Sequence, residues 1–146
     1  MIHQVLAQTI VLQDLRPGID ALRTHLGFEL RSEGPLGEAA ARSLGVSPLV
    51  HRRFALLGAP GVSRGFIRLV EGPSDDESAT FHKTGLFNAE ILTSDVEALY
   101  AQLKGSGAFK VVSDLNTYDL SGAGGGAVSR SFATRGPGGA LSLIHI

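Results

Sequence analysis

Two stretches of this chain, 81 residues apart, carry the same order of chemical signals. Asp14 matches Asp95, Ile10 matches Ile91, Leu22 matches Leu103 and Phe28 matches Phe109. Each copy reads as an apolar strand, an acidic helix start, an amphipathic helix, a glycine stop and a further strand. A repeated order of elements predicts two copies of one supersecondary unit in tandem.

The residues support that reading locally. Residues 4–13 are rich in Val, Leu and Ile and predict a strand. Asp14 is placed to cap the next helix, because its carboxylate accepts from unpaired N–H groups of the first turn. Pro17 lies in that turn, where its missing N–H costs little. Ile19, Leu22 and Leu26 share one helical face, and Gly27 stops the helix. A second strand starts at Phe28 to Leu30. Residues 37–44 predict a short extra helix, followed by strands at 49–57 and 64–71 around a turn at 58–61. Residues 73–83 are polar and read as the linker between half-modules 1–72 and 84–146. In the second half a strand at 86–93 leads to Ser94-Asp95-Val96-Glu97, a capping-box pattern. Val96, Leu99 or Tyr100, and Leu103 form the buried stripe, with Gly105 and Gly107 as the stop. A strand at 108–114, a glycine-rich loop at 120–126, and strands at 127–134 and 139–145 complete it.

Composition narrows the function classes. With 43% hydrophobic and 18% charged residues over 146 positions, the chain has the makings of one globular domain. A net charge of −1 gives no electrostatic footprint for nucleic acid or an anionic membrane. The absence of cysteine removes disulfides, zinc-thiolate sites and cysteine nucleophiles. No apolar run approaches the roughly 20 residues that span a bilayer. The N-terminal Met1-Ile2-His3-Gln4 does not start like a signal peptide. A cytoplasmic protein is expected, with no nucleic-acid or membrane partner.

Specific motifs add a family resemblance. Val11-Leu12-Gln13-Asp14 followed by Leu26-Gly27-Phe28-Glu29-Leu30, then Leu92-Thr93-Ser94-Asp95-Val96-Glu97-Ala98 in the second half, resemble the vicinal-oxygen-chelate superfamily of glyoxalases, bleomycin-resistance proteins and extradiol dioxygenases. Phe132 followed by Gly136-Pro137-Gly138-Gly139 is similar to the family's turn before its last strand, without the acidic residues of that turn. The resemblance covers nearly the whole chain. It implies an α+β fold: one glyoxalase/bleomycin-resistance-like domain spanning 1–146, in which two tandem βαβββ modules form a curled mixed sheet with helices on the outer face.

The resemblance also implies where a divalent metal would be held: on the first and fourth strands of each half, by His, Glu or Gln. Here those positions fall on Ala7, Arg68, Asn88 and Ser142. Ala7 has no donor, and Arg68 is a permanent cation that opposes a metal. Asn88 and Ser142 are weak ligands. The expectation is therefore a metal-free protein without a cofactor.

Arg68 draws the most interest, because it interrupts the apolar run Phe66-Ile67-Leu69-Val70. An unpaired guanidinium is costly to bury, so it needs a carboxylate partner or a ligand. Glu90 is the candidate partner, in an ion pair bridging the halves. The functional alternative has Arg68 gripping an anionic ligand, with Asn88, Glu90 and Ser142 as further contacts. His25 suits a helix C-terminus, whereas His51 and His82 are candidates for an acid or base. No serine sits in a nucleophile elbow, and the glycines at 123–126 lack a phosphate-loop pattern.

These residues lead to a first reading as a glyoxalase/bleomycin-resistance-like protein, metal-free, binding a small polar or anionic organic molecule in the sheet cup. The resemblance further implies a homodimer. A second reading is a lyase, isomerase, epimerase or dioxygenase-type enzyme acting through an enolate. A third is a non-catalytic subunit or domain of a larger assembly.

Overall fold

The Asp14 carboxylate accepts the N–H of Arg16 at 2.9 Å, and from that cap the first helix runs to Gly27. Gly27 has φ 66° and donates its N–H to the Leu22 carbonyl, ending the helix as glycine can at little steric cost. In the computed structural model, which describes residues 6–73, 88–119, 128–139 and 141–145, the chain divides into two units, Met1–Asp75 and Asp76–Ile146.

The first unit consists of β1 (Ala7–Leu12), α1 (Leu15–Leu26), β2 (Glu29–Pro35), α2 (Glu38–Ser43), a 3-10 turn (Ser47–Leu49), β3 (Arg53–Gly58) and β4 (Phe66–Glu71). The sheet order is β1-β4-β3-β2, with β1 parallel to β4 and the other pairs antiparallel. This is a βαβββ module. Leu15, Ile19 and Leu22 of α1 are buried, as are Ala55 and Leu57 of β3 and Ile67 and Leu69 of β4. Each such leucine or isoleucine contributes about 1.5–3 kcal/mol by leaving water.

The expected strand at 49–57 starts later, at Arg53. Pro48 sits at the start of the 3-10 turn and fixes the chain in that turn. His51 then takes φ 65°, the one positive-φ non-glycine position in the described residues. Its N–H donates to the Leu36 carbonyl at 2.8 Å, while the Leu36 N–H donates to the Arg52 carbonyl at 2.7 Å. Two residues therefore oppose one, a bulge that closes the base of the excursion carrying α2.

The second unit contains β5 (Asn88–Leu92), α3 (Val96–Lys104), β6 (Lys110–Val111), β7 (Asn116–Asp119), β8 (Val128–Arg135) and β9 (Leu141–His145). Its order is β5-β9-β8-β6, and β7 also pairs with β8. The registers repeat those of the first unit: Ala7 pairs with Phe66 in parallel, and Asn88 pairs with Leu141 in parallel. The tandem repeat seen in sequence is thus a repeat of strand pairing, and the chain is α+β, built from two βαβββ modules, the second with its second strand split into β6 and β7.

Two local expectations are corrected here. Asp95, not Ser94, caps α3: its carboxylate accepts the Ala98 N–H at 2.9 Å, and its own N–H donates to Thr93 Oγ1 at 3.3 Å. Glu97 is thereby released from capping and forms an ion pair with Arg130 of β8. The strand expected at 108–114 shrinks to Lys110–Val111. Ser113 Oγ accepts the Ala133 N–H at 2.8 Å, so a side chain takes a ladder donor and the backbone leaves the sheet before β7. The glycine-rich loop at 120–126, most of the linker at 73–83, and His82 lie outside the described residues.

Candidate functional site

Strand alternation sorts the first sheet into two faces. Ala55, Leu57, Ile67 and Leu69 point to α1. The opposite parity holds Phe54 and Leu56 of β3, Phe66, Arg68 and Val70 of β4, and Ala7, Thr9 and Val11 of β1, as the pairings Thr9 with Arg68 and Leu56 with Arg68 require. Ala7 and Arg68, both singled out from sequence, therefore share the face turned away from α1.

Arg68 is half-buried on that face. Its Nη1 donates to Thr9 Oγ1 at 3.3 Å, across to the neighbouring strand. Within its unit, among the described residues, no carboxylate pairs with it. Other arginines differ: Arg16 pairs with Asp20 at 3.2 Å, Arg31 with Glu29 at 3.1 Å, and Arg130 with Glu97. Arg31 also donates to the Ala59 carbonyl at 2.8 Å. Within its own unit, Arg68 thus has the neutral Thr9 hydroxyl as its hydrogen-bond partner. Beside it, the Phe66 ring lies so close over Gly58 that a Cβ there would stand 2.5 Å from the ring edge.

One end of this face is covered. Val70 is fully buried in a hydrocarbon cluster with Leu36 and Ala41, against which Leu44, Val46, Leu49, Val50 and Phe54 pack. The cluster comes from α2 and the 3-10 turn. Leu49 reaches down to Gly72, where a Cβ would stand 2.8 Å from Leu49 Cδ2 and 2.9 Å from Val11 Cγ1.

In the second unit, Phe132 meets Tyr100 of α3 edge-on, with ring centroids 5.1 Å apart, so the Phe132 parity of β8 faces α3. Phe132 pairs with Ile144, and Thr134 pairs with Ser142. Ser142 also pairs with Ala89, whereas Asn88 and Glu90 pair with Leu141 and Leu143. Ser142 therefore stands on the helix side, in the opposite parity to Glu90. By the register of the first unit, the position equivalent to Arg68 is Leu143. Sequence spacing missed this by one residue. The parallel pairing with β5 supplies the signal that was lacking.

By the resemblance noted from sequence, the metal-ligand positions would be Ala7 and Arg68 in the first unit and, by register, Asn88 and Leu143 in the second. Two are hydrocarbon and one is cationic, a donor set that does not fit a metal. Among the described residues, no three His, Asp or Glu side chains come together in a way that could hold one. His51 is exposed at the base of the excursion, remote in register from Arg68.

A separate cleft of about 600 Å³ lies beside α3, lined by Tyr100, Lys104, Phe109 and Asp114 among others. Its polar groups serve one another: Lys104 Nζ donates to Tyr100 Oη at 3.4 Å, which donates to Asp114 Oδ1 at 3.4 Å.

The paired βαβββ modules define the vicinal-oxygen-chelate fold, that of the glyoxalase/bleomycin-resistance/dioxygenase superfamily. A glyoxalase family protein from Bacillus cereus has a TM-score of 0.72 at 19% identity, over 99% of this chain and 94% of that one. A fosfomycin resistance protein from Listeria monocytogenes, in complex with manganese(II) and 1S,2S-dihydroxypropylphosphonic acid, has a TM-score of 0.59 at 13% identity, over 99% and 93%. A member of the glyoxalase/bleomycin resistance protein/dioxygenase superfamily from Sphaerobacter thermophilus has a TM-score of 0.61 at 17% identity, over 99% and 97%. No protein-family model matches the sequence, and no curated protein matches it. Among the described residues, no helix is long and apolar enough to cross a membrane.

Proposed function

We propose that this chain binds a small anionic organic molecule on the face turned away from α1, with Arg68 gripping the anion and without a metal ion. The observation that carries the reading is the environment of Arg68, half-buried between Phe66 and Val70 and hydrogen-bonded to the Thr9 hydroxyl. A carboxylate or phosphonate would supply two acceptors to the guanidinium fork, the geometry for which arginine is suited. Thr9 would hold the guanidinium in place, and Phe66 and Leu56 would face the ligand's hydrocarbon body. The fosfomycin resistance protein of the same fold carries a small phosphonate together with a metal. By the resemblance, Ala7 and Arg68 would stand at metal-ligand positions of the first unit, and the arginine would take over the neutralising charge. Asn88 and Glu90 remain proposed ligand contacts within the second unit; Ser142, on the helix side, is dropped from the set.

The test is a double-mutant cycle on Arg68→Ala and Glu90→Ala, read by unfolding and by calorimetric titration with benzoate. A ligand role predicts that Arg68→Ala abolishes benzoate binding and shifts stability by less than about 1 kcal/mol. If Arg68→Ala instead lowers stability and the double change recovers part of the loss, the arginine serves as an ion-pair partner and the proposal fails.

A further inference from the structure

The covered end of the Arg68 face has a consequence for what can bind there. The geometry points to the excursion at residues 37–50 as a size filter: it closes the Val70 end of the face, so an anion held at Arg68 can extend only a short way in that direction. This rests on the proposed role of Arg68 and goes further by naming the determinant of ligand size.

Arg68 and Val70 lie two residues apart on β4, about 7 Å along the strand. Val70 is fully buried beneath the excursion, and Leu36 and Ala41 are nearly so. The seating is tight, since a Cβ at position 72 would stand 2.8 Å from Leu49 Cδ2 and 2.9 Å from Val11 Cγ1, so one of those side chains would have to shift. A ligand anchored at Arg68 and running towards Val70 therefore meets packed hydrocarbon within about one benzene ring's length. Across the sheet it meets Thr9 and Leu56, each directly beside Arg68 in register, and along β4 the other way it meets Phe66.

The excursion is also separable from the sheet it covers. Its ends meet at Leu36, His51 and Arg52, through hydrogen bonds of 2.7 and 2.8 Å. His51 at φ 65° occupies the left-handed position of a short hairpin turn with a bulge. Replacing residues 37–50 by an Asp-Lys dipeptide, with His51→Gly, keeps that turn geometry and removes the hydrocarbon cover.

The experiment compares benzoate with biphenyl-4-carboxylate by calorimetric titration, on the full chain and on the excised variant. The unaltered chain is expected to favour benzoate. The excised chain should improve biphenyl-4-carboxylate relative to benzoate by roughly tenfold or more. The ratio is the readout, because general loosening would weaken both ligands alike. An excised chain that folds and keeps the original ratio overturns the size filter while leaving the role of Arg68 standing. Should the unaltered chain bind neither acid, the proposed function falls and the filter with it. If the excised chain does not fold, the Leu44→Ala, Leu49→Ala double variant takes its place, with the same ratio deciding.

Discussion

Position 51 shows how a single residue carries strain for the sake of a turn. Histidine in the left-handed region costs about 1–2 kcal/mol, which glycine avoids, less about 0.5–1 kcal/mol for glycine's freer unfolded chain. His51→Gly is therefore expected to stabilise the protein by about 0.5–1 kcal/mol, visible as a raised midpoint in urea unfolding. A lowered midpoint would mean that the imidazole has contacts worth more than the strain. Gly58 presents the converse case. Its missing side chain lets the Phe66 ring settle against the strand, with the nearest ring atom 2.5 Å from where a Cβ would stand. Gly58→Ala should cost about 1–3 kcal/mol by forcing the ring aside. Because Phe66 flanks Arg68, the same change should also weaken benzoate binding.

Among the elements, α3 shows how a cap decides what neighbouring side chains can do. Asp95 accepts the Ala98 N–H, and Thr93 serves the Asp95 N–H in the role expected of Glu97. Asp95→Ala is expected to cost about 1 kcal/mol. Ser94→Ala should change thermal stability by no more than a few tenths; equal losses at both positions would contradict the assigned cap. Glu97, freed from the cap, ties α3 to Arg130, with side chains 47% and 40% exposed. At that exposure the pair contributes at most about 1 kcal/mol, and less in high salt. On β6, the Ser113 hydroxyl replaces a backbone acceptor for Ala133 and ends the strand. Propensity does not register such a substitution, because the partner lies twenty residues away in the chain.

For the molecule as a whole, the repeat is the organising fact, and both halves pair their first and fourth strands in the same register. That symmetry places Asn88 at the position of Ala7 and Leu143 at that of Arg68. Protein purified without chelator and then incubated with nickel, zinc, manganese and iron is accordingly expected to retain far less than one ion per chain. One ion per chain, measured by elemental analysis, would show that donors other than these four assemble a site.

Sequence by itself determined the tandem βαβββ plan, because capping carboxylates, glycine stops and apolar periodicity are local signals, and they recur at Asp14 and Asp95, each leading into its own helix. It also showed Arg68 as an anomaly, since a cation inside an apolar strand is visible without coordinates. Only the tertiary structure decided that Ser142 faces the helix, because a slip of one residue inverts a side chain's face and long-range pairing alone sets the register. It alone showed that the helix at 38–43 lies on the sheet across from α1. A short alanine-rich helix has no periodicity strong enough to say what it covers, and its place is settled by hydrocarbon contacts with Val70 and Phe54, distant in the chain.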